Sequence, residues 1–247
     1  MKHLLRPTLT AAILAAALGM TVGAQAAQTG SGTVDKTKAS YVVGWDLASQ
    51  LPPIVREEID PAAVARAVQS ELSGQKPTMS DAEYMSVKKA FLAQLQAKAK
   101  AEFDQEAAKN KAEGDAFLAR NRHAPGVKVT ASGLQYKIIT QGTGARPGPD
   151  DTVKINYVGM LVNHKIFDAS SKHPGGGPDE IPLANVIPGF REGLQLMQVG
   201  GHYEFFIPPS LAYGSDPRSE MPPNETLIFD VTLLGTQPPK ANADQQQ

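Results

Sequence analysis

Thr226-Leu227-Ile228-Phe229-Asp230-Val231-Thr232-Leu233 reads at a period of two. Leu227, Phe229, Val231 and Leu233 share one face, and Thr226, Ile228, Asp230 and Thr232 share the other. A half-buried strand gathers residues in this way, whereas a helix would scatter them around its axis. The same alternation recurs in Leu134/Tyr136/Ile138, Val153/Ile155/Tyr157 and Tyr203/Phe205/Ile207. Turn residues separate these runs, among them Gly142-Thr143-Gly144 and Pro147-Gly148-Pro149. One amphipathic stretch, Pro188 to Met197, interrupts them, with Phe190, Leu194 and Met197 on one side. The expected module is an antiparallel sheet wrapped on one short helix, an α+β arrangement over 125–236.

Upstream of Pro125 the period changes to that of a helix. Tyr41, Trp45, Ala48 and Leu51 recur at three and four, so a first helix is expected over 36–51, stopped by Pro52-Pro53. Asp60-Pro61 opens a second, with Asp60 as N-cap, Val64, Val68 and Leu72 as its stripe and Gly74 as its stop. Ser80 and Glu83 form a capping-box pair at the head of a third helix that no proline interrupts before Pro125. From Gln96 to Asp115 the only large apolar side chain in that helix is Phe103. Such a helix reads as a solvent-bridging spacer over 80–124, about 60 Å long if continuous. The competing reading folds it back onto a partner. The segments before Leu95 form a very small core, and no cysteine is available to staple it. Pairing with a second copy is the simplest way to bury Tyr41, Trp45, Val64, Val68 and Phe91, so 27–79 is expected to be a helical dimerisation region.

The N-terminus carries Lys2, His3 and Arg6, then an apolar run from about Leu9 to Val22, then Ala24-Gln25-Ala26. This is the pattern of a cleaved secretory signal peptide over 1–26. It is short for a membrane anchor, which needs about 18 or more apolar residues, and no later stretch suits a membrane span. The expected location is the periplasm, with the outer surface as the further possibility. The tail 237–247 is polar and is expected to be disordered. The net charge of −1, more negative once Lys2 and Arg6 leave, attracts no nucleic acid. The absence of cysteine excludes disulfides and thiol catalysis. His3, His123, His164, His173 and His202 are scattered without ligand spacing, so no metal and no other cofactor is expected. Gly142-Thr143-Gly144 and Gly175-Gly176-Gly177 lack the Lys and Ser/Thr of a phosphate loop.

Several segments of the C-terminal half occur together in one order. They are Val153 to Leu161, Phe167-Asp168-Ala169-Ser170, Val186-Ile187-Pro188-Gly189-Phe190, Leu211-Ala212-Tyr213-Gly214 and Met221 to Val231. In residues and order they resemble the FKBP family of peptidyl-prolyl cis/trans isomerases. Ser40-Tyr41-Val42-Val43-Gly44 followed by a long helix resembles the extension found in the macrophage infectivity potentiator and FkpA-like subfamily. That second resemblance implies a V-shaped homodimer with intertwined N-terminal helices. The first implies a pocket lined by Tyr157, Phe167, Val186, Phe190, Met221 and Phe229. It implies Phe190 as the floor under a proline ring, and the Ile187 N–H and Tyr213 hydroxyl as holders of peptide carbonyls. It places Asp168 at the rim, in an electrostatic or a structural role. Phe190 stands where the family most often has Trp, so the floor is smaller. Lys172 to Glu180 holds three consecutive glycines and no aromatic, and the Ser215–Glu220 loop is charged and about one residue short.

The implied reaction suits this residue set. Rotation about X–Pro opposes amide resonance, with a barrier of about 18–20 kcal/mol, and makes or breaks no bond. It needs no nucleophile, base or metal. A dry apolar pocket favours the twisted amide, which separates less charge than the planar one, and a hydrogen bond to the carbonyl orients it. Accelerating the step about 10⁵-fold takes about 7 kcal/mol of differential stabilisation. Taken singly, each aromatic reads as ordinary core, and only the joint spacing points to a pocket. The expected partners are unfolded or partly folded exported chains with X–Pro bonds. The alternative is a dimeric holdase or surface-interaction protein with little isomerase activity.

Overall fold

The computed structural model describes residues 34–239. The expected leader lies outside them, as does the tail beyond Pro239. Gln237, the first residue assigned to that tail, instead ends the last strand. The chain divides into two compact units, and the division falls between Ala101 and Glu102.

The first unit is helical. Helix α1 (Lys36–Ser49) begins at Asp35, whose carboxylate accepts from the Lys38 N–H at 2.9 Å. Pro52-Pro53 ends α1, and Pro53 starts a further short helix, α2 (Pro53–Arg56), because proline suits the first helical turn. Helix α3 (Pro61–Leu72) is capped by Asp60, which accepts from Ala62 N–H at 2.8 Å, and Gly74 follows it at φ +69°. Helix α4 (Asp81–Asn121) runs unbroken for 41 residues, and Ser80 Oγ accepts from the Glu83 N–H at its head. Within this unit Lys98 donates to Glu57 at 2.9 Å and to Glu58 at 2.6 Å, tying α4 to the residues after α2. Leu95 is buried, but Tyr41 and Trp45 stack with their rings 6.0 Å apart while remaining 68% and 64% exposed.

The second unit is built on an antiparallel sheet. Its strands are β1 (Val127–Val129), β2 (Gln135–Thr140), β3 (Thr152–Leu161), β4 (Ile166–Ala169), β5 (Asp179–Pro182), β6 (His202–Ile207) and β7 (Leu227–Gln237). They lie in the order β1-β2-β6-β7-β3-β4, with β5 paired to β3. The alternation read from the sequence holds in β3, β6 and β7, and in β2 Tyr136 and Ile138 pack against the same core while partly buried. Leu134, Val153, Ile155, Tyr157, Tyr203, Phe205, Ile207, Leu227, Phe229, Val231 and Leu233 all join one core. Helix α5 (Pro188–Leu196) lies on that face through Phe190 and Leu194, with Met197 buried just past its end.

Sequence reading expects one helix on the sheet, but two segments of helix cover it. The second half of α4 lies on the opposite face, where Phe117 meets Phe206 with ring centroids 5.8 Å apart. The spacer reading fails for this half because small residues, not large ones, make the contact. Ala107 and Asn110 are buried, and Asn110 Nδ2 donates to the Pro223 carbonyl at 2.9 Å. Gly114, the only glycine of α4, is a site of close approach. A methyl group there would overlap Thr226 Oγ1 and lie 3.2 Å from Thr226 Cβ. Thr226 is fully buried, and its hydroxyl finds no hydrogen-bond partner among the described residues.

Alanine at 114 gains about 1 kcal/mol of helix propensity over glycine, whereas overpacking costs about 1–3 kcal/mol. Gly114→Ala is therefore expected to lower hydrogen-exchange protection in β6 and β7. In a Thr226→Ala background the same change should become neutral or favourable, a coupling of about 1–2 kcal/mol.

Candidate active site

The site grows from the core face of β3 and β7. Tyr157 and Phe229 stand side by side there, with ring centroids 6.1 Å apart. Phe190 rises to them from the first turn of α5, 6.1 Å from Tyr157 and 4.6 Å from Phe229. All three rings are at least nine-tenths buried. Tilted and edge-on contacts of this kind suit aromatic quadrupoles.

Phe167 completes the cluster by way of a bulge. β4 pairs with β3 as Val158↔Ala169, Gly159↔Asp168 and Met160↔Ile166, so Phe167 has no opposite number. A bulge re-aims the side chain it carries. Here the Phe167 ring meets Phe229 edge-on, 5.6 Å away at 89°. Gly159 makes this possible, because a Cβ there would lie 2.7 Å from Phe167 Cζ and 3.0 Å from Phe229 Cε1. The bulge also lets Phe167 and its neighbour Asp168, which alternation would send to opposite faces, serve the same side.

Asp168 is the polar centre of the rim. The Tyr157 hydroxyl donates to Oδ2 at 2.6 Å, and Ala169 N–H donates to Oδ1 at 2.8 Å. Burial, and then the hydrogen bond to Asp168, push the Tyr157 phenol far above its ordinary pKa, so it stays a donor. His173 Nε2 lies 3.0 Å from Asp168 Oδ1, and His173 Nδ1 lies 2.6 Å from Asp179 Oδ2. The imidazole pKa is raised, chiefly by the hydrogen bond with Asp179, and desolvation only partly opposes this. His173 and Asp179 are missing from the site read in the sequence. They come from a glycine-rich loop and an edge strand, which have no shared period that brings them together.

Val186 and Ile187 pack on the core just before α5. Arg191, one turn into the helix, donates to the carbonyls of Leu183 and Ala184, both at 2.7 Å, and so holds this approach in place. Among the described residues no acceptor takes the Ile187 N–H, and none takes the Tyr213 hydroxyl. Tyr213 is 46% exposed, and its pKa is raised by burial and by the charges of Asp168 and Glu220, so it too remains a donor. Its loop is fixed by Gly214 N–H to Pro209 O at 3.0 Å and Asn224 N–H to Gly214 O at 2.7 Å. Asn224 Nδ2 reaches the Ala107 carbonyl at 3.3 Å, which anchors the loop to α4. Met221, on the same loop, packs against the aromatic core. Asp230, on the face of β7 opposite Phe229, pairs with His202 at 2.9 Å on the other side of the sheet. A cleft of about 360 Å³ on that side, bordered by Phe117, Met160, Phe206 and Ile228, contains none of the site residues.

Comparison with known proteins shows the family of the chain. Residues 36–138 match the model of the domain amino terminal to FKBP-type peptidyl-prolyl isomerase, and residues 144–234 match that of FKBP-type peptidyl-prolyl cis-trans isomerase. The chain is 42% identical over 228 residues to the outer membrane protein MIP of Legionella longbeachae, covering 91% of this chain and 95% of that one. It is 35% identical over 259 residues to the FKBP-type peptidyl-prolyl cis-trans isomerase FkpA of Escherichia coli K12, covering 98% and 95%. The crystal structure of Escherichia coli FkpA superposes with a TM-score of 0.67 at 34% identity, covering 83% of this chain and 98% of that one.

Gly159→Ala is expected to displace the Phe167 ring and to destabilise the sheet unit by about 1–3 kcal/mol, the usual cost of overpacking a core. Urea unfolding followed by tyrosine near-ultraviolet circular dichroism measures the loss. Aromatic NMR shifts of Phe167 and Phe229 report the displacement.

Proposed function

We propose, for a chain that belongs to the FKBP-type peptidyl-prolyl cis-trans isomerases and is one of these enzymes, that X–Pro bonds turn in the cradle of Tyr157, Phe167, Phe190 and Phe229. The proline ring rests on Phe190. Val186, Ile187 and Met221 border it, and the Ile187 N–H and Tyr213 hydroxyl take the carbonyls of the bound peptide. Asp168 holds the Tyr157 phenol in place and sets the field at the rim. The observation that carries this reading is the meeting of three buried rings, together with two donors that no acceptor among the described residues uses.

The chemistry follows from that combination. The twisted amide is less polar than the planar one, so moving it out of water into an aromatic cradle costs less. A hydrogen bond to the peptide carbonyl keeps one end still while the other rotates. No proton needs to change hands, and both tyrosines are held in the protonated form that donates. In an assay of a blocked X–Pro peptide, Tyr213→Phe and Asp168→Asn are each expected to lower kcat/KM about tenfold, the scale of one lost hydrogen bond. Unchanged rates for both variants would remove these residues from the site.

The helical unit adds a second role, as a homodimer that holds unfolded exported chains. Its support is the apolar surface of the described residues. Tyr41, Trp45, Val64, Val68 and Leu72 are all exposed on a unit too small to bury them alone. A second copy of the same surface covers them, and two linked domains then grip extended clients by avidity. The pattern of residues 1–26 directs the chain to the periplasm, with cleavage after Ala26 or Ala27. Light scattering at micromolar concentration should give twice the chain mass, and Trp45→Asp with Val68→Asp should give the monomer. Aggregation of a proline-free client should be suppressed equally by wild type and Asp168→Asn, but less by the monomeric variant.

A further inference from the structure

The rim of the site contains a histidine set between two carboxylates. His173 Nδ1 lies 2.6 Å from Asp179 Oδ2, and Nε2 lies 3.0 Å from Asp168 Oδ1. A neutral imidazole has one N–H and one lone pair, so it can donate to only one of these oxygens and must turn its lone pair on the other. The cation donates to both. Asp168 from β4 and Asp179 from β5 are the charged groups that face the ring. The Tyr157 phenol of β3 lies edge-on to it, 6.2 Å between centroids. Tyr213 shares the field of Asp168. Among the described residues neither carboxylate has a lysine or arginine partner, so His173 is the cation available to them.

We propose that His173 is a positioning residue of this isomerase, whose protonated imidazole bridges Asp168 to Asp179 and makes the rate depend on pH. The inference rests on the assignment of Asp168 to the site. Asp168 Oδ1 then accepts from Ala169 N–H and His173, while Oδ2 accepts from Tyr157. Three donors hold the carboxylate in one orientation and fix the Tyr157 ring that walls the cradle. The bridge also closes the base of the Pro174–Pro178 loop. That loop has little else to define it, since Gly175 and Gly176 stand at φ +101° and +60°.

The sign follows from which contact survives deprotonation. The shorter one, to Asp179, keeps the remaining proton on Nδ1. Nε2 then presents its lone pair to Asp168 Oδ1, and the carboxylate loses an anchor. The two aspartates favour the cation, so the change is shifted upward from the ordinary histidine value. Activity is therefore full on the acid side of that titration and falls as pH rises through it.

The test measures kcat/KM between pH 5 and 9 on a blocked X–Pro peptide with no titrating group. The His173 ring is followed by NMR in the same series. Wild type should lose about threefold to tenfold through one inflection that coincides with the ring titration, the scale of one partly exposed hydrogen bond. His173→Asn should be flat at the wild-type alkaline level, and His173→Arg flat and higher. Asp179→Asn should move the inflection to lower pH. Circular dichroism confirms that each variant is folded, and Asp179→Asn serves if His173→Asn is not. A flat wild-type profile, or an inflection that persists in His173→Asn, overturns the proposal. An unaltered rate in Asp168→Asn instead overturns the site assignment beneath it.

Discussion

Phe190 and Phe229 meet with their centroids 4.6 Å apart, and the catalytic half of the molecule is arranged around that contact. One ring comes from the first turn of α5 and the other from the middle of β7. Their approach requires the helix to lie on the sheet at one height and in one rotation. Gly193 permits it, since a Cβ there would come within 2.9 Å of the Phe205 ring. Pro188 at the first helical position and the Arg191 contacts to Leu183 and Ala184 hold the entry to the helix. With that geometry set, Val186 and Ile187 can only fall at the edge of the aromatic cluster.

The rim obeys a different constraint, the satisfaction of partly buried polar groups. A carboxylate beside three aromatic rings must be hydrogen-bonded or neutral. Asp168 is bonded by a phenol, a backbone amide and an imidazole, which draw on β3, β4 and the loop before β5. In the proposed site, apolar packing sets the place offered to a proline ring, and this polar set decides how the walls are oriented. The two are joined at Tyr157, whose ring belongs to the core and whose hydroxyl belongs to the rim.

Much of this was legible in the residue pattern, and the misses share a cause. The strands were readable because side chains alternate strictly in an extended backbone, so burial of one face leaves a period-two trace. The caps at Asp60 and Ser80 were readable because local hydrogen bonds depend on near neighbours. The packing of the second half of α4 is not legible in the pattern. A helix that packs through Ala107, Asn110 and Gly114 leaves no apolar stripe, and close approach of backbones favours small residues that look like solvent-facing ones. Gly114 shows the ambiguity most plainly, since a glycine that allows contact and a glycine that allows bending are the same letter.

Taken alone, then, the sequence determined the α+β sheet, its buried face, the aromatic set and the peptidyl-prolyl isomerase family, because each is written in local spacing or in motif order. Only the tertiary structure decided that a bulge leaves Phe167 unpaired, that α4 clamps the loop after Tyr213, and that His173 and Asp179 close on Asp168. Those facts depend on register and on loop closure between residues with no common period. Such contacts are set by the whole chain settling at its lowest free energy, not by any neighbouring pair of side chains.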